Sequence, residues 1–124
     1  MPTYVPPTSQ LVVEILVSDL ERSLPFYESL GFKRGTTHDR FVILTWEEHE
    51  LFLEERSDLA TSSAAGYPRA NVRVMVRDVN AAWERALAQG APVAQSIGDR
   101  AYGLRDFTVV DPDGFGVRFA TRLT

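Results

Sequence analysis

Two stretches of the sequence repeat each other: VVEILVSDLERSLPFYESLGF at residues 12–32 and NVRVMVRDVNAAWERALAQGA at residues 71–91. They align without a gap at a constant offset of 59 residues, from 12 to 71. The matching positions include a strand valine, an aspartate and a glycine in each copy, namely Val17 and Val76, Asp19 and Asp78, and Gly31 and Gly90. An internal repeat of this length indicates that the chain contains two copies of one structural module.

Each copy predicts a strand that leads into a helix. The alternating apolar residues of the strands are Val13, Ile15 and Val17 in the first copy and Val72, Val74 and Val76 in the second. Asp19 and Asp78 follow where a carboxylate caps the first turn of a helix. Gly31 and Gly90 supply the left-handed residue that ends it. Pro25 lies inside the first helix, and we expect it to distort the first turn.

Further strands are predicted after each helix. Two clear strands occur in each half, at 41–46 and 51–55 and at 107–110 and 115–121, with weaker ones at 34–37 and 93–97. The last pair is joined by Asp111-Pro112-Asp113-Gly114, which has Pro and Gly where a tight turn needs them. The sequence therefore predicts an α+β fold of two tandem βαβββ modules with mixed sheets.

Segment 56–70 is rich in Ser, Ala and Gly and is typical of a linker. We therefore predict an N-terminal arm at 1–10 and a single domain at 11–124. Within that domain, module one occupies 11–55, the linker 56–70 and module two 71–122.

Composition limits the functions open to this chain of 124 residues. Its 13 basic and 17 acidic residues give a net charge of −4 and are scattered, whereas a nucleic-acid surface needs clustered Lys and Arg. No apolar run approaches the ~20 residues that cross a bilayer, and the start lacks a signal-peptide pattern. The absence of cysteine excludes disulfides and thiolate ligands. We expect a cytoplasmic protein that binds neither nucleic acid nor membrane.

Motifs in both halves resemble one superfamily. The first half contains Val-Ser-Asp-Leu (17–20), Ser-Leu-Pro-Phe-Tyr (23–27) and Leu-Gly-Phe (30–32), and the second contains Tyr-Gly-Leu-Arg-Asp-Phe (102–107) and Asp-Pro-Asp-Gly-Phe (111–115). Over residues 10–122 the chain resembles the vicinal oxygen chelate superfamily of glyoxalases, bleomycin resistance proteins and dioxygenases, closest to its bleomycin-resistance-like, metal-free branch. The resemblance implies sheets that curl around a shared cavity, and a homodimer.

The resemblance also implies where metal-using members of this superfamily hold their metal. Their four ligand positions fall on Val12, Phe52, Asn71 and Arg118. Two of these side chains are hydrocarbons, one is a cation, and a lone amide is a poor ligand for a transition metal. His38 and His49 stand in predicted turns, and a solvated acidic hairpin is the ordinary explanation of His49. We therefore expect neither a metal nor a cofactor.

Strand alternation assigns side chains to the expected cavity. Tyr102 and Phe107, which lie near the aromatic-Gly motif, are expected to form one wall, and Trp46 another. The candidate ligand-binding residues are Glu14, Trp46, Phe52, Glu54, Asn71, Arg73, Tyr102, Phe107 and Arg118. The charged members have two explanations. One is that structural ion pairs join Glu14 to Arg73 and Glu54 to Arg118; the other is that these charges hold a polar ligand.

Several functions fit these features. The first is a bleomycin-resistance-like protein that binds or sequesters a small aromatic or amphipathic molecule, such as a toxin or antibiotic, with Arg118 neutralising a ligand oxygen in place of a metal. The second is a metal-independent lyase or isomerase with Glu14 or Glu54 as base and Arg73 or Arg118 stabilising an oxyanion. A neighbouring arginine, however, lowers the pKa that such a base needs raised. Further alternatives are an accessory subunit with a filled cavity and a metal-dependent glyoxalase or dioxygenase with non-standard ligands.

Overall fold

The computed structural model describes residues 4–57, 68 and 70–124. Over these residues the order of helices and strands repeats, as the sequence predicts. The elements of the first half are α1 (Pro7–Gln10), β1 (Val13–Val17), α2 (Leu20–Leu30), β2 (Lys33–His38), β3 (Phe41–Trp46) and β4 (His49–Glu55). Those of the second half are β5 (Asn71–Met75), α3 (Val79–Ala88), β6 (Val93–Asp99), β7 (Leu104–Val110) and β8 (Gly116–Arg122).

The chain divides into two compact units, Met1–Ala60 and Thr61–Thr124. The sheet of the first has the strand order β1-β4-β3-β2, and that of the second β5-β8-β7-β6. In each sheet the first strand of the module runs parallel to the last, and the other neighbours are antiparallel. The predicted α+β fold with two βαβββ modules and mixed sheets is thus confirmed.

Among the described residues, the segment before β1 contains a short helical turn. Residues 7–10 of the predicted arm form the helical turn α1, which contacts β4. The boundary between the two units falls inside the predicted linker 56–70, of which 58–67 and 69 lie outside the described residues. Among the helices of the described residues, none has the length and hydropathy needed to span a bilayer.

In the first module, α2 packs on one face of the sheet. Alternate residues of β1, β3 and β4 form the core on this face: Ile15, Val17, Val42, Leu44, Leu51 and Leu53. The helix contributes Tyr27, whose ring meets those of Phe26 and Phe32 edge-on, with centroids 5.1 and 5.5 Å apart. Full burial of an aliphatic or aromatic side chain stabilises a fold by about 1.5–3 kcal/mol, so this layer is a main source of the unit's stability.

In the second module, α3 packs on the sheet in the same way. The buried strand residues of this core are Val74, Phe107, Val109, Val117 and Phe119. The ring of Phe107 lies between Trp83 of α3, at a centroid distance of 5.0 Å, and Phe119 of β8, at 5.5 Å. An aromatic row therefore links the helix to the two central strands.

Both helices begin in the same way, and their caps connect them to the sheet. Asp19 and Asp78 accept hydrogen bonds from backbone N–H groups two and three residues further on, as predicted. The first N–H of α2 donates to Oε2 of Glu55 at 2.9 Å, and that of α3 donates to Oγ1 of Thr121 at 3.0 Å. The last strand of each module thus ties down the start of its helix.

Pro25 does not break α2, which is continuous from Leu20 to Leu30. The proline lacks only the N–H that would bond to the carbonyl of Glu21, and that carbonyl lies in an exposed first turn where water can replace it. The expected distortion therefore does not interrupt the helix. Gly31 ends it with a left-handed φ of 118°.

The predicted tight turn between β7 and β8 is present. The N–H of Gly114, whose φ is 92°, donates to the carbonyl of Asp111 at 3.0 Å. The buried Asp111 carboxylate accepts from the backbone N–H groups of Asp113 and Phe115 at 2.9 and 2.7 Å. These bonds stabilise the hairpin, and β7 extends three residues further back than predicted, to Leu104.

Ser23 places an unpaired hydroxyl in the core of the first module. Its side chain is fully buried, and its Oγ has no hydrogen-bond partner among the described residues. Because an unsatisfied buried polar group costs about 1–3 kcal/mol, we expect Ser23→Ala to leave the free energy of unfolding unchanged or to raise it by up to about 1 kcal/mol. Urea denaturation measures this change.

Ser29→Ala is the matched control for Ser23→Ala. The Ser29 hydroxyl donates to the carbonyl of Phe26 at 2.7 Å, so its removal should reduce stability. If Ser23→Ala destabilises the protein more than the control does, the Ser23 hydroxyl has a partner in solution.

Candidate functional site

Each sheet has a face turned away from its helix, which we call the open face of that module. Strand register assigns residues to it, because successive side chains point to opposite faces. On β1, β3 and β4, the open face of the first module comprises Glu14, Leu16, Phe41, Ile43, Thr45, Glu50, Phe52 and Glu54. On β5, β7 and β8, that of the second comprises Asn71, Arg73, Met75, Leu104, Asp106, Thr108, Val110, Gly116, Arg118, Ala120 and Arg122.

Three predicted site residues lie on the open face of the first module. Glu14 is exposed, whereas Phe52 and Glu54 are half-buried. Phe52 is the register partner of Glu14 on β1. Its ring meets that of Phe41 edge-on, with centroids 5.1 Å apart. This face therefore combines an aromatic pair with carboxylates.

Two residues expected to wall the cavity lie instead on the helix-facing sides of their sheets. The ring of Trp46 meets that of Phe32 at a centroid distance of 5.1 Å, and Phe32 is buried. Phe107 is 0% exposed and belongs to the aromatic row beneath α3. Both alternate with the open-face residues of their strands, so the pleat turns them toward the core. We therefore leave Trp46 and Phe107 out of the proposed site.

Asn71, Arg73 and Arg118 lie on the open face of the second module. In the parallel pair of β5 and β8, Arg73 stands directly opposite Arg118, and on β7 Thr108 is opposite Arg118. Asn71 and Arg73 are exposed, and Arg118 is half-buried. Nε of Arg118 donates to Oγ1 of Thr108 at 3.0 Å. Two arginines thus occupy register-paired positions on the same face, and the guanidinium of Arg118 is oriented by the buried hydroxyl of Thr108.

A buried carboxylate anchors the next row of this face. Asp106 is 0% exposed, and its two oxygens accept from Nε of Arg100 at 2.8 Å and from the hydroxyl of Tyr102 at 2.5 Å. Nη2 of Arg100 also donates to the carbonyls of Ser96 and Asp106, at 2.6 and 3.1 Å. These bonds fix the turn between β6 and β7, which presents the Tyr102 ring at 60% exposure.

Electrostatics keep Asp106 ionised. Burial opposes its charged form, but hydrogen bonds from Tyr102 and Arg100 and the positive charges of Arg100 and Arg118 outweigh burial. The pKa of Asp106 therefore lies below its ordinary value of 3.8. The hydrogen bond to Asp106, together with burial and the negative charge of Asp106, raises the pKa of Tyr102. At neutral pH the cluster is a carboxylate held between a cation and a neutral phenol.

Charge differs in sign between the two open faces. On β5, β7 and β8, the second module has three arginines against one carboxylate, which are Arg73, Arg118, Arg122 and Asp106. On β1, β3 and β4, the first has the three glutamates Glu14, Glu50 and Glu54, and on β2 it has the basic residue Lys33, opposite Thr45. Because the whole chain has a net charge of −4, the positive charge of the second face is a local concentration.

Asp106, Thr108 and Arg100 complete the cluster but are absent from the predicted set. The alternation of residues along β7 predicts the positions of Asp106 and Thr108. Phe107 and Val109 alternate as core residues, so Asp106 and Thr108 must point to the other face. Arg100 stands in a turn, where alternation gives no direction, and only its tertiary hydrogen bonds reveal its position.

A shallow groove of about 350 Å³ lies elsewhere in the second module, lined by Asn80, Ile97, Gly98, Asp99 and Arg105. It contains an exposed ion pair, in which Nε of Arg105 contacts Asp99 at 2.6 Å. Ile97 is its only sizeable apolar side chain among these lining residues. Because small-molecule sites are lined mainly by apolar and aromatic groups, the groove is a weaker candidate than the open face.

A protein-family model described as the Glyoxalase/Bleomycin resistance protein/Dioxygenase superfamily matches residues 9–119. The chain belongs to this superfamily. No curated protein matches it closely enough to add a relative.

The chain is also similar to several solved structures. TioX from Micromonospora sp. ML1 is 27% identical with a TM-score of 0.76, covering 93% of this chain and 99% of that one. The glyoxalase/bleomycin resistance protein from Catenulispora acidiphila is 27% identical with a TM-score of 0.67, covering 90% and 96%. A bleomycin-binding protein in complex with bleomycin is 17% identical with a TM-score of 0.73, and the match covers 92% of this chain and 98% of that one. At this identity the similarity shows a shared fold only.

The positions that carry a metal in superfamily members do not supply a donor set here. Val12 and Phe52 have no donor atom, Arg118 is a cation bonded to Thr108, and only Asn71 offers an oxygen. In the parts of the chain that the structure describes, no three His, Cys, Asp or Glu side chains gather as a metal site would require. The residues present do not fit a metal at these positions.

The low pKa of Asp106 predicts a pH-dependent contribution to stability. A carboxyl whose pKa is lower in the folded chain than in the unfolded chain stabilises the fold above the unfolded pKa, and that contribution is lost as the pH falls through the folded pKa. We expect the difference in unfolding free energy between wild type and Asp106→Asn to be largest above the ordinary pKa of 3.8 and to shrink below it. Urea denaturation across this range measures the difference. An equal difference at neutral and strongly acidic pH would contradict it.

Proposed function

We propose that this superfamily member is a binding protein that takes up a small aromatic or amphipathic organic molecule on the open face of its second module. The observation that carries the proposal is the combination of an exposed aromatic ring, Tyr102 in the turn before β7, with Arg73 and Arg118, which are register partners on β5 and β8 of the same sheet. The charge of Arg118 influences Tyr102, so the ring and the guanidinium belong to one electrostatic neighbourhood. A ring of this kind stacks on flat ligands, while the arginines interact with polar groups.

The hydrogen bonds around this face favour binding by reducing its entropic cost. The Tyr102 hydroxyl is fixed on Asp106, and Arg118 is fixed on Thr108. A ligand therefore meets side chains that are already restricted, and less conformational freedom is lost on association. Asn71, at the start of β5, provides an amide at the edge of the same face.

The comparisons support a binding role for the fold. The structure of the bleomycin-binding protein holds bleomycin, so the same fold accommodates a small organic molecule there. We extend this by proposing that the present chain sequesters its ligand, as a resistance protein would, and acts as a homodimer.

Proton transfer is a weaker candidate for this site. Its buried carboxylate, Asp106, has a pKa below the ordinary value, and a general base that works near neutral pH needs the opposite shift. Both oxygens of Asp106 are also occupied by Arg100 and Tyr102. The carboxylate therefore serves to position its neighbours.

The test is a thermal-shift screen of metal-stripped protein against peptide antibiotics, a small aromatic library and divalent metals. A compound at about 100 times its Kd should stabilise the native protein by about 2.7 kcal/mol. We expect a shift with at least one aromatic compound that Tyr102→Ala reduces and that Tyr4→Ala, in a fully exposed position, leaves intact. A stoichiometric shift with Zn²⁺, Ni²⁺ or Fe²⁺ and none with organic compounds would contradict the proposal.

A further inference from the structure

We propose that the ligand of this face carries an anionic group, a carboxylate or a phosphate, and that Arg73 and Arg118 bind it together. This inference rests on the proposed function and deepens it, because it names the chemical class of the ligand. It concerns one row of the second module's open face, which crosses β5, β8 and β7 through Arg73, Arg118 and Thr108.

The position of the two arginines is the first reason. They are register partners on neighbouring strands, which lie about 4.8 Å apart, and their side chains leave the same face of the sheet. Two cations side by side repel each other, and the repulsion grows as water is excluded. An anion placed between the two guanidinium groups converts that repulsion into attraction.

The charge balance of the face is the second reason. Asp106 is the one carboxylate at the open-face positions of β5, β7 and β8; its oxygens accept from Arg100 and Tyr102, and it also interacts electrostatically with Arg118. The row of Arg73 and Arg118 contains no acidic residue on these strands, and its third member is the neutral Thr108. The face therefore has an excess of positive charge on a chain whose net charge is −4.

Geometry around Arg118 is the third reason. Its Nε bond to Thr108 sets the plane of the guanidinium, and half-burial keeps the group partly out of water. Its neighbours at the open-face positions of β8 are Gly116 and Ala120, which are small and buried. A planar, forked guanidinium in such a position suits two-pronged hydrogen bonding to a carboxylate or phosphate.

The competing explanation is that the two arginines form structural ion pairs with the protein's own glutamates, Arg73 with Glu14 and Arg118 with Glu54, as the sequence analysis also allows. The two explanations differ in what a substitution changes. Arginines that hold only protein carboxylates contribute to stability and do not respond to added anions. Arginines of a ligand site respond to added anions, and their neutral replacements lose that response.

The experiment has two arms at constant ionic strength, each with wild type, Arg73→Gln, Arg118→Gln and Arg85→Gln. Arg85 lies exposed on α3, on the other side of the sheet, and its replacement removes the same charge. In the first arm, NMR titrations with inorganic phosphate and with acetate follow the arginine Nε–H signals. We expect saturable shifts at Arg73 and Arg118 in wild type, and an affinity at least about fivefold lower when either is replaced, because charge-assisted bonds from both are lost or weakened.

The second arm compares 1-naphthoate and 1-naphthyl phosphate with the neutral 1-naphthamide by calorimetry. We expect wild type and Arg85→Gln to bind at least one anionic probe about tenfold more tightly than the amide. Arg73→Gln and Arg118→Gln should largely lose this preference. Carboxylate and phosphate are distinguished by which of the two anionic probes binds more tightly.

The outcomes separate the inference from the proposed function. If the amide binds as tightly as both anionic probes, the anion site is refuted while small-molecule binding stands. If inorganic anions bind at the arginines but no naphthyl probe binds, the anion site stands and aromatic binding is refuted. Equal anion responses in wild type and both arginine variants, with reduced stability of the variants, would show that the arginines serve the protein's own carboxylates.

Discussion

Phe107→Ala is expected to lower the free energy of unfolding by about 3–5 kcal/mol, because it removes a fully buried ring from a core and leaves a cavity. The ring is 0% exposed and packs between Trp83 and Phe119, so the surrounding side chains cannot fill the space without moving the helix or the strand. Chemical denaturation with fluorescence of the tryptophans measures the loss. The variant Phe107→Leu retains most of the volume and should lose much less stability.

Phe52→Ala is the matched control for this experiment. Phe52 is half-buried on the open face of the first module, where its ring contacts that of Phe41. Since water already reaches part of this ring, its removal should cost clearly less than that of Phe107. A loss of under about 1 kcal/mol in Phe107→Ala, accompanied by weaker ligand binding, would place Phe107 in a cavity wall and refute its assignment to the core.

Asp106→Ala is expected to lower the free energy of unfolding by about 2–4 kcal/mol, because it removes one partner of a buried, hydrogen-bonded ion pair. Arg100 then loses its anion, and the Tyr102 hydroxyl loses its acceptor. The turn between β6 and β7 should loosen as well, since Arg100 fixes it through Asp106. Urea denaturation measures the stability, and hydrogen exchange of the backbone amides at 100–103 measures the loosening.

Asp99→Ala gives the corresponding measurement for an exposed ion pair in the same module. Asp99 contacts Arg105 at 2.6 Å, a distance similar to that between Asp106 and Arg100, but both partners are exposed to water. Exposed pairs contribute little, so this variant should be far less destabilised. Equal losses in Asp99→Ala and Asp106→Ala would mean that burial of Asp106 does not set its contribution.

Much of the fold follows from local patterns that occur twice in the sequence. Asp19 and Asp78 cap their helices as predicted because N-capping depends only on the residues of the first turn. The tight turn at 111–114 also follows from its own residues. The added caps from Glu55 and Thr121 were beyond prediction, because they join residues that are 35 and 42 positions apart in the chain.

The candidate site was predictable where strand alternation could be followed without interruption. The open-face positions of Glu14, Phe52, Arg73 and Arg118 come directly from it. The aromatic-Gly motif at 102–107 predicts a cavity wall for Phe107, but the alternation of Phe107 with Val109 assigns it to the core, where the structure places it. Tyr102 and Arg100 stand in a turn, so their approach to Asp106 depends on a backbone path that has no sequence period.

The cluster gives Asp106, Arg100 and Arg118 of the second module a physical role. Arg100 and Tyr102 keep Asp106 ionised and in place, and Asp106 in turn holds the turn that presents the Tyr102 ring. Thr108 orients Arg118 beside Arg73. Together they form a hydrogen-bonded face with one aromatic ring and a register-paired set of two arginines, which is the basis of the proposed binding site.

The most direct test of binding on the second module's open face is chemical-shift mapping of ¹⁵N-labelled protein titrated with 1-naphthoate. We expect the largest saturable chemical-shift changes on the open face of the second module, at Arg73, Tyr102, Asp106 and Arg118. Changes confined to the groove at Asn80, 97–99 and Arg105, or to the first module alone, would contradict it.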